Sequence, residues 1–171
     1  MKGAVLRGIV AAAAALALIP ALAAASSGDV QHLQYQAGPY RITPGANLIL
    51  TQYAHVPKPN QDGFMIRMAP NLRYARPDGK CCGAIPRVDV LHLHHGVWLS
   101  DGAAGAGEGN GYGGVYPFMA TGEEKTVYEL PQGYGYPVSG KDHWILNYMI
   151  HNLTAKESQV YITYDIDFVP D

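Results

Sequence analysis

Gln159-Val160-Tyr161-Ile162-Thr163-Tyr164-Asp165-Ile166-Asp167-Phe168 alternates without a break. Val160, Ile162, Tyr164, Ile166 and Phe168 fall on one side, and Tyr161, Thr163, Asp165 and Asp167 on the other. Successive side chains of an extended chain point to opposite faces, so this spacing predicts a strand with one face in a core and the other toward water. Half-buried strands of this kind belong to antiparallel sheets.

The same reading extends outward. Residues 47–55, 64–68, 88–100, 125–129 and 144–151 are short apolar runs with period-2 alternation, broken by Gly and Pro. Twelve tyrosines and many β-branched residues suit strands, and no comparable helical pattern competes with them. Several short strands separated by turn signals predict an all-β, antiparallel β-sandwich or jelly roll over residues 46–171. Residues 26–45, polar and carrying Gly-Pro and Thr-Pro steps, read as an irregular lead-in. The strand at 144–151 is expected to form a hairpin with 159–168 through the polar connection 152–158. The glycine-rich stretch 101–114 has no strand–turn–helix context, which excludes a dinucleotide site and leaves a surface loop.

The first 25 residues predict a cleavable signal peptide. Lys2 and Arg7 make a positive start, residues 9–19 are almost wholly apolar, Pro20 ends that run, and A-x-A spacing follows at Ala21–Ala23 and Ala23–Ala25. The apolar run is shorter than the roughly 20 residues that span a bilayer. The expected product is secreted, extracellular or periplasmic, with no membrane span after removal of the signal. With Lys2 and Arg7 gone, 10 basic residues face 14 acidic ones. No basic run is left to neutralise phosphates, which argues against a nucleic-acid partner. Two adjacent cysteines, Cys81 and Cys82, allow a vicinal disulfide, two free thiols or bonds to another chain.

The residues richest in chemistry are Val90-Leu91-His92-Leu93-His94-His95-Gly96-Val97-Trp98. On a regular strand His92 and His94 share a face, and two neutral imidazoles side by side can grip copper or zinc. For His95 to join them the strand must bulge, which Gly96 allows. Further donors are sought on 144–151, where Met149 and His151 share a face; a thioether favours Cu(I). The candidate metal ligands are therefore His92, His94, His95, Met149 and His151. His32, His55 and His143 stand in polar surroundings and read as solvated, as do Glu123 and Glu124. Tyr112, Tyr116, Tyr134 and Tyr136 could offer stacking surfaces to a glycan or protein ligand. Asn152-Leu153-Thr154 is a glycosylation sequon and reads as an exposed turn.

Leu93-His94-His95-Gly96-Val97-Trp98-Leu99, Leu130-Pro131-Gln132-Gly133-Tyr134-Gly135-Tyr136 and the strand from Trp144 together resemble the stress-up-regulated nodulin family of secreted proteins. They are also distantly similar to the N-terminal domain of the copper type II, ascorbate-dependent monooxygenases. That resemblance implies a jelly roll with a mononuclear copper site. The histidine pair falls on His94 and His95 and the third position at or near Met149, with His151 two residues on. It also implies one-electron transfer and a redox partner or second copper-bearing chain. The monooxygenases use two such domains and this length accommodates one, which argues against a complete hydroxylase on this chain. The competing reading is an extracellular binding or structural module without metal.

Overall fold

The computed structural model describes residues 29–102 and 115–171. The expected signal peptide, most of the glycine-rich stretch and Tyr112 lie outside them. The described residues form β1 (Gln31–Ile42), β2 (Ile49–Gln52), β3 (Gly63–Tyr74), β4 (Leu91–Ser100), β5 (Tyr116–Gly122), β6 (Tyr128–Glu129), β7 (Tyr136–Val138), β8 (Trp144–Asn152) and β9 (Ser158–Pro170). One sheet runs β1-β9-β3-β6, with β7 also on β3, and the other β2-β8-β4-β5. Every pairing is antiparallel. The two sheets stack into the predicted β-sandwich, with the strand order of a jelly roll. Among the described residues no helix is long and apolar enough to cross a membrane.

β9 is the spine of the first sheet. Its alternation places Val160, Ile162, Tyr164, Ile166 and Phe168 wholly out of solvent. It pairs with β1 along one edge and β3 along the other. The second sheet answers with Trp98, Trp144 and Leu146, all buried. The Trp98 and Tyr164 rings meet edge to face at 5.3 Å across the sandwich, a favoured aromatic geometry.

Three expectations are corrected. Residues 31–42 are a long strand rather than an irregular lead-in. The Gly38-Pro39 step that argued against a strand is absorbed where the β1–β9 register shifts, between Ala37 and Tyr40. Such an irregularity accepts a proline that an unbroken central strand would not. The second correction concerns β8 and β9, which are not a hairpin: they lie in opposite sheets, and the connection between them crosses the sandwich. Asn152 holds that crossing in place. It is completely buried, and its amide nitrogen donates to the carbonyls of Ile42 and Lys156 at 3.1 and 2.8 Å. Its oxygen accepts from the Thr154 hydroxyl at 2.8 Å. The third correction follows: the sequon marks a buried clamp, not an exposed turn.

Cys81 and Cys82 are bonded to each other, so neither is a free thiol.

Candidate metal centre

β4 and β8 lie side by side in the second sheet, and their alternation divides their side chains between core and solvent. On β8, Trp144, Leu146, Tyr148 and Ile150 are buried, leaving Asn147, Met149 and His151 on the outer face. On β4, Leu91 and Leu93 point inward, and the next buried positions are Gly96 and Trp98. The step from 93 to 96 breaks the period of two. It coincides with a shift in the β4–β8 register between Leu93 and His95. This is a bulge, and its consequence is chemical: His92, His94 and His95 all reach the outer face. Gly96 follows with no side chain; a Cβ there would lie 3.1 Å from the Trp98 ring, which folds over it.

Register then decides which groups meet. His92 sits directly opposite His151, and His95 opposite Met149. The His94 ring stacks on His151 at 4.4 Å with 12° between planes, while His92 meets His151 at 4.9 Å. The fourth member is Glu123. It follows β5, whose last residue, Gly122, pairs with His95. A Cβ on Gly122 would lie 2.7 Å from the His94 carbonyl oxygen, so only glycine lets the β5 terminus come this close. A turn closed by the Lys125 amide on the Gly122 carbonyl, at 3.0 Å, then swings Glu123 over the imidazoles. His92, His94, Glu123 and His151 each offer a donor atom within 4.8 Å of the others. A tetrahedral ion with bonds of about 2.1 Å separates its donors by about 3.4 Å, so modest side-chain rotation closes the set.

The hydrogen bonds show which ring nitrogens of His92 and His94 carry a hydrogen. His92 Nδ1 lies 2.6 Å from the Val88 carbonyl oxygen. A carbonyl only accepts, so Nδ1 carries the hydrogen, and the neutral ring presents a lone pair at Nε2. That nitrogen is buried and makes no hydrogen bond, yet it lies 3.1 Å from Glu123 Oε1. The contact is close but not aligned as a hydrogen bond. With the ring neutral, two acceptors therefore face each other. His151 Nε2 is likewise buried without a partner. His94 Nδ1 donates to the same Glu123 oxygen at 3.0 Å.

Burial, with His94 and His92 close by, pulls the His151 pKa below its ordinary value and keeps the ring neutral. Burial lowers His95 in the same direction, with His94 adding to it. The hydrogen bond from His94, followed by the nearby imidazoles, holds Glu123 below the usual carboxylate range, so it stays an anion. The side chain of His92 is only 11% exposed, against 43% for His94 and 47% for Glu123. The group is thus walled in on the His92 side and open on the other.

Three of the five residues read from sequence as ligands, His92, His94 and His151, come together. His95 lies beside them, its ring 5.6 Å from that of His94, but is not one of the four. Met149 shares the outer face opposite His95, and the histidine–carboxylate group takes Glu123 as its fourth member. Glu123 is the residue sequence reasoning missed: β5 was not predicted, so nothing linked Glu123 to β4. His32 and His143 pair with Asp167 and Asp101, at 2.7 and 3.0 Å. Among the tyrosines considered for stacking, Tyr136 instead packs on Phe118, with ring centroids 4.9 Å apart.

Fold and site together define an antiparallel β-sandwich carrying a three-histidine, one-carboxylate group that could hold a metal ion. No protein family, curated protein or solved structure matches the chain.

Proposed function

We propose that this chain is an exported protein that binds a single divalent transition-metal ion through His92, His94, Glu123 and His151, with Cu(II) held most tightly. The observation that carries this reading is the buried Nε2 of His92, a lone pair 3.1 Å from a carboxylate oxygen with no hydrogen bond between them. Two facing acceptors repel unless a cation lies between them, and the Val88 carbonyl already holds the only hydrogen of the neutral ring. A ligating imidazole commonly donates its other N–H to a backbone carbonyl, the arrangement seen at His92.

Imidazoles with one carboxylate suit Zn, Cu, Fe and Ni in their divalent states. A carboxylate donor makes the set harder than a thioether would and favours a divalent ion over Cu(I). Among divalent ions the general affinity order then favours copper. Export is supported by the leader-like first 25 residues and by the Cys81–Cys82 bond, which belongs to an oxidising compartment.

The test is calorimetric titration of the chain with Cu(II) and Zn(II), with electron paramagnetic resonance of the copper form. One ion per chain, with spectra showing several nitrogen donors, is expected, and His92→Ala and His151→Ala should each abolish stoichiometric binding. Weak binding unchanged in both variants would mean that the cation between His92 and Glu123 is a proton, and the group an imidazolium–carboxylate pair.

A further inference from the structure

The first sheet also has an outer face, and it is not flat. β1, β9 and β3 form the floor of a groove of about 360 Å³, within the size range of small-molecule sites. The register arranges that floor in two rows. Gln34, Asp165 and Ala69 form one, and Gln36, Thr163 and Asn71 the other. The small Ala69 leaves the first row sunken on the β3 side. Cys82 rises at one wall and Lys125 with Val127 at another, while Arg73 closes the β3 end.

We propose that this groove binds a short saccharide carrying a carboxylate. Amide, hydroxyl and carboxylate side chains offer donors and acceptors side by side, which matches the paired hydroxyls of a sugar ring, each both donor and acceptor. Their capacity is unspent. Among the described residues, no side-chain hydrogen bond involves Gln34, Thr163, Asp165 or Lys125, and Asn71 uses only its oxygen, accepting from the Leu72 amide at 2.9 Å. Cys82 Sγ lies 3.7 Å from Gln36 Oε1, but a disulfide sulfur has no hydrogen to give, so that oxygen is free as well. Pro70, Val127 and the disulfide supply the apolar contact that the C–H face of a sugar requires. Two cations, Arg73 and Lys125, face one anion, Asp165. Arg73 gives one N–H to the Gly83 carbonyl at 3.3 Å and keeps the others, which can fork onto a carboxylate.

The groove shares the Gly122–Lys125 turn with the metal group through Lys125, but its two floor rows lie on the other sheet and include none of the four donors. The test is titration of the full chain with digalacturonate and with cellobiose, followed by backbone amide shifts in NMR. Digalacturonate should give saturable shifts confined to residues of the two rows, with dissociation near the millimolar range expected for a groove whose aromatic lining residue, Tyr35, packs on Tyr164, and cellobiose should bind more weakly. The double variant Asn71→Ala, Thr163→Val, both outward-facing, should lose the shifts while keeping the wild-type melting temperature and stoichiometric ion binding. Cellobiose binding as tightly as digalacturonate would overturn the acidic class. Absence of saturable shifts with either sugar, or unchanged shifts in the double variant, would overturn the site.

Discussion

The two sheets turn similar faces inward and very different faces outward. Inside, β9 from Val160 to Phe168 and β8 from Trp144 to Ile150 both present rows of large apolar and aromatic side chains. Outside, the β4–β8 pair gathers imidazoles, a thioether and a nearby carboxylate, while β1, β9 and β3 present amides, a hydroxyl and mixed charge. The inner faces obey one rule, burial, and any large apolar residue serves it. The outer faces are free of that rule, so their chemistry differs with the residues that register brings together. The core should therefore respond to substitution as one unit and the outer faces independently of it and of each other.

The largest expected effect lies inside. Trp98 is fully buried and meets Tyr164 of the opposite sheet. Trp98→Ala should cost about 3–5 kcal/mol in a denaturant melt, and both outer faces should lose function with it. The surface substitution Asn71→Ala should change stability by no more than about 0.5 kcal/mol. Comparable losses in the two would break the distinction between inner and outer faces.

Next comes stabilisation by the ion. Binding to the native state alone adds about 2.7 kcal/mol at a hundredfold excess over the dissociation constant. A rise in melting temperature with Cu(II) should vanish in His151→Ala and persist in Asn71→Ala. Gly122→Ala should weaken the ion's hold less completely. A Cβ 2.7 Å from the His94 carbonyl must push the β5 terminus away and carry Glu123 with it, whereas Glu123→Gln leaves the backbone where it is and removes only the charge.

The inner face was legible in the sequence because alternation is a local signal; the β9 core residues could be read directly from their spacing. Partnership across strands was not legible. Nothing in residues 116–122 or 31–42 announces which strand each lies beside, and the Gly38-Pro39 step pointed away from a strand altogether. The histidine cluster was visible as a cluster, and the need for a bulge followed from placing His95 with its neighbours. Glu123 was invisible because its approach depends on a β5–β4 register and on an empty Cβ position at Gly122, neither of which has a sequence pattern of its own. The hairpin expectation for β8 and β9 failed for a related reason: a short polar connection suits a turn within one sheet and a crossing between two equally well, and the buried clamp of Asn152 decides for the crossing.

Smaller still is the effect of pH on the metal-free chain. His151 and His95 have native pKa values below their ordinary 6.5. Between those lowered values and 6.5 the unfolded chain binds more protons than the native one, so stability falls as pH drops through that window. Glu123 acts in the same direction in a separate, more acidic window, below its ordinary value of 4.5. A melting series from pH 8 to pH 5 should show the first loss, and His151→Gln should flatten it. With the ion bound the dependence should steepen, because each proton that competes for a ligand nitrogen weakens affinity about tenfold per pH unit.

The smallest effect is the most discriminating. His95 and Met149 share the outer face with the ion site and sit opposite each other, on β4 and β8. His95 is not one of the four donors. His95→Ala and Met149→Ala should each leave the ion stoichiometry at one and change stability by about 0.5 kcal/mol or less. His95→Ala should weaken binding only slightly at mildly acidic pH, since His95 is the last of several causes that keep His151 neutral. A loss of copper binding in Met149→Ala, read most directly by titrating Cu(I) under reducing conditions, would place the ion one residue pair further along the sheet, between His95 and the thioether. The carboxylate would then be a bystander, and the outer face of the second sheet would hold a soft site in place of the harder one argued from Glu123.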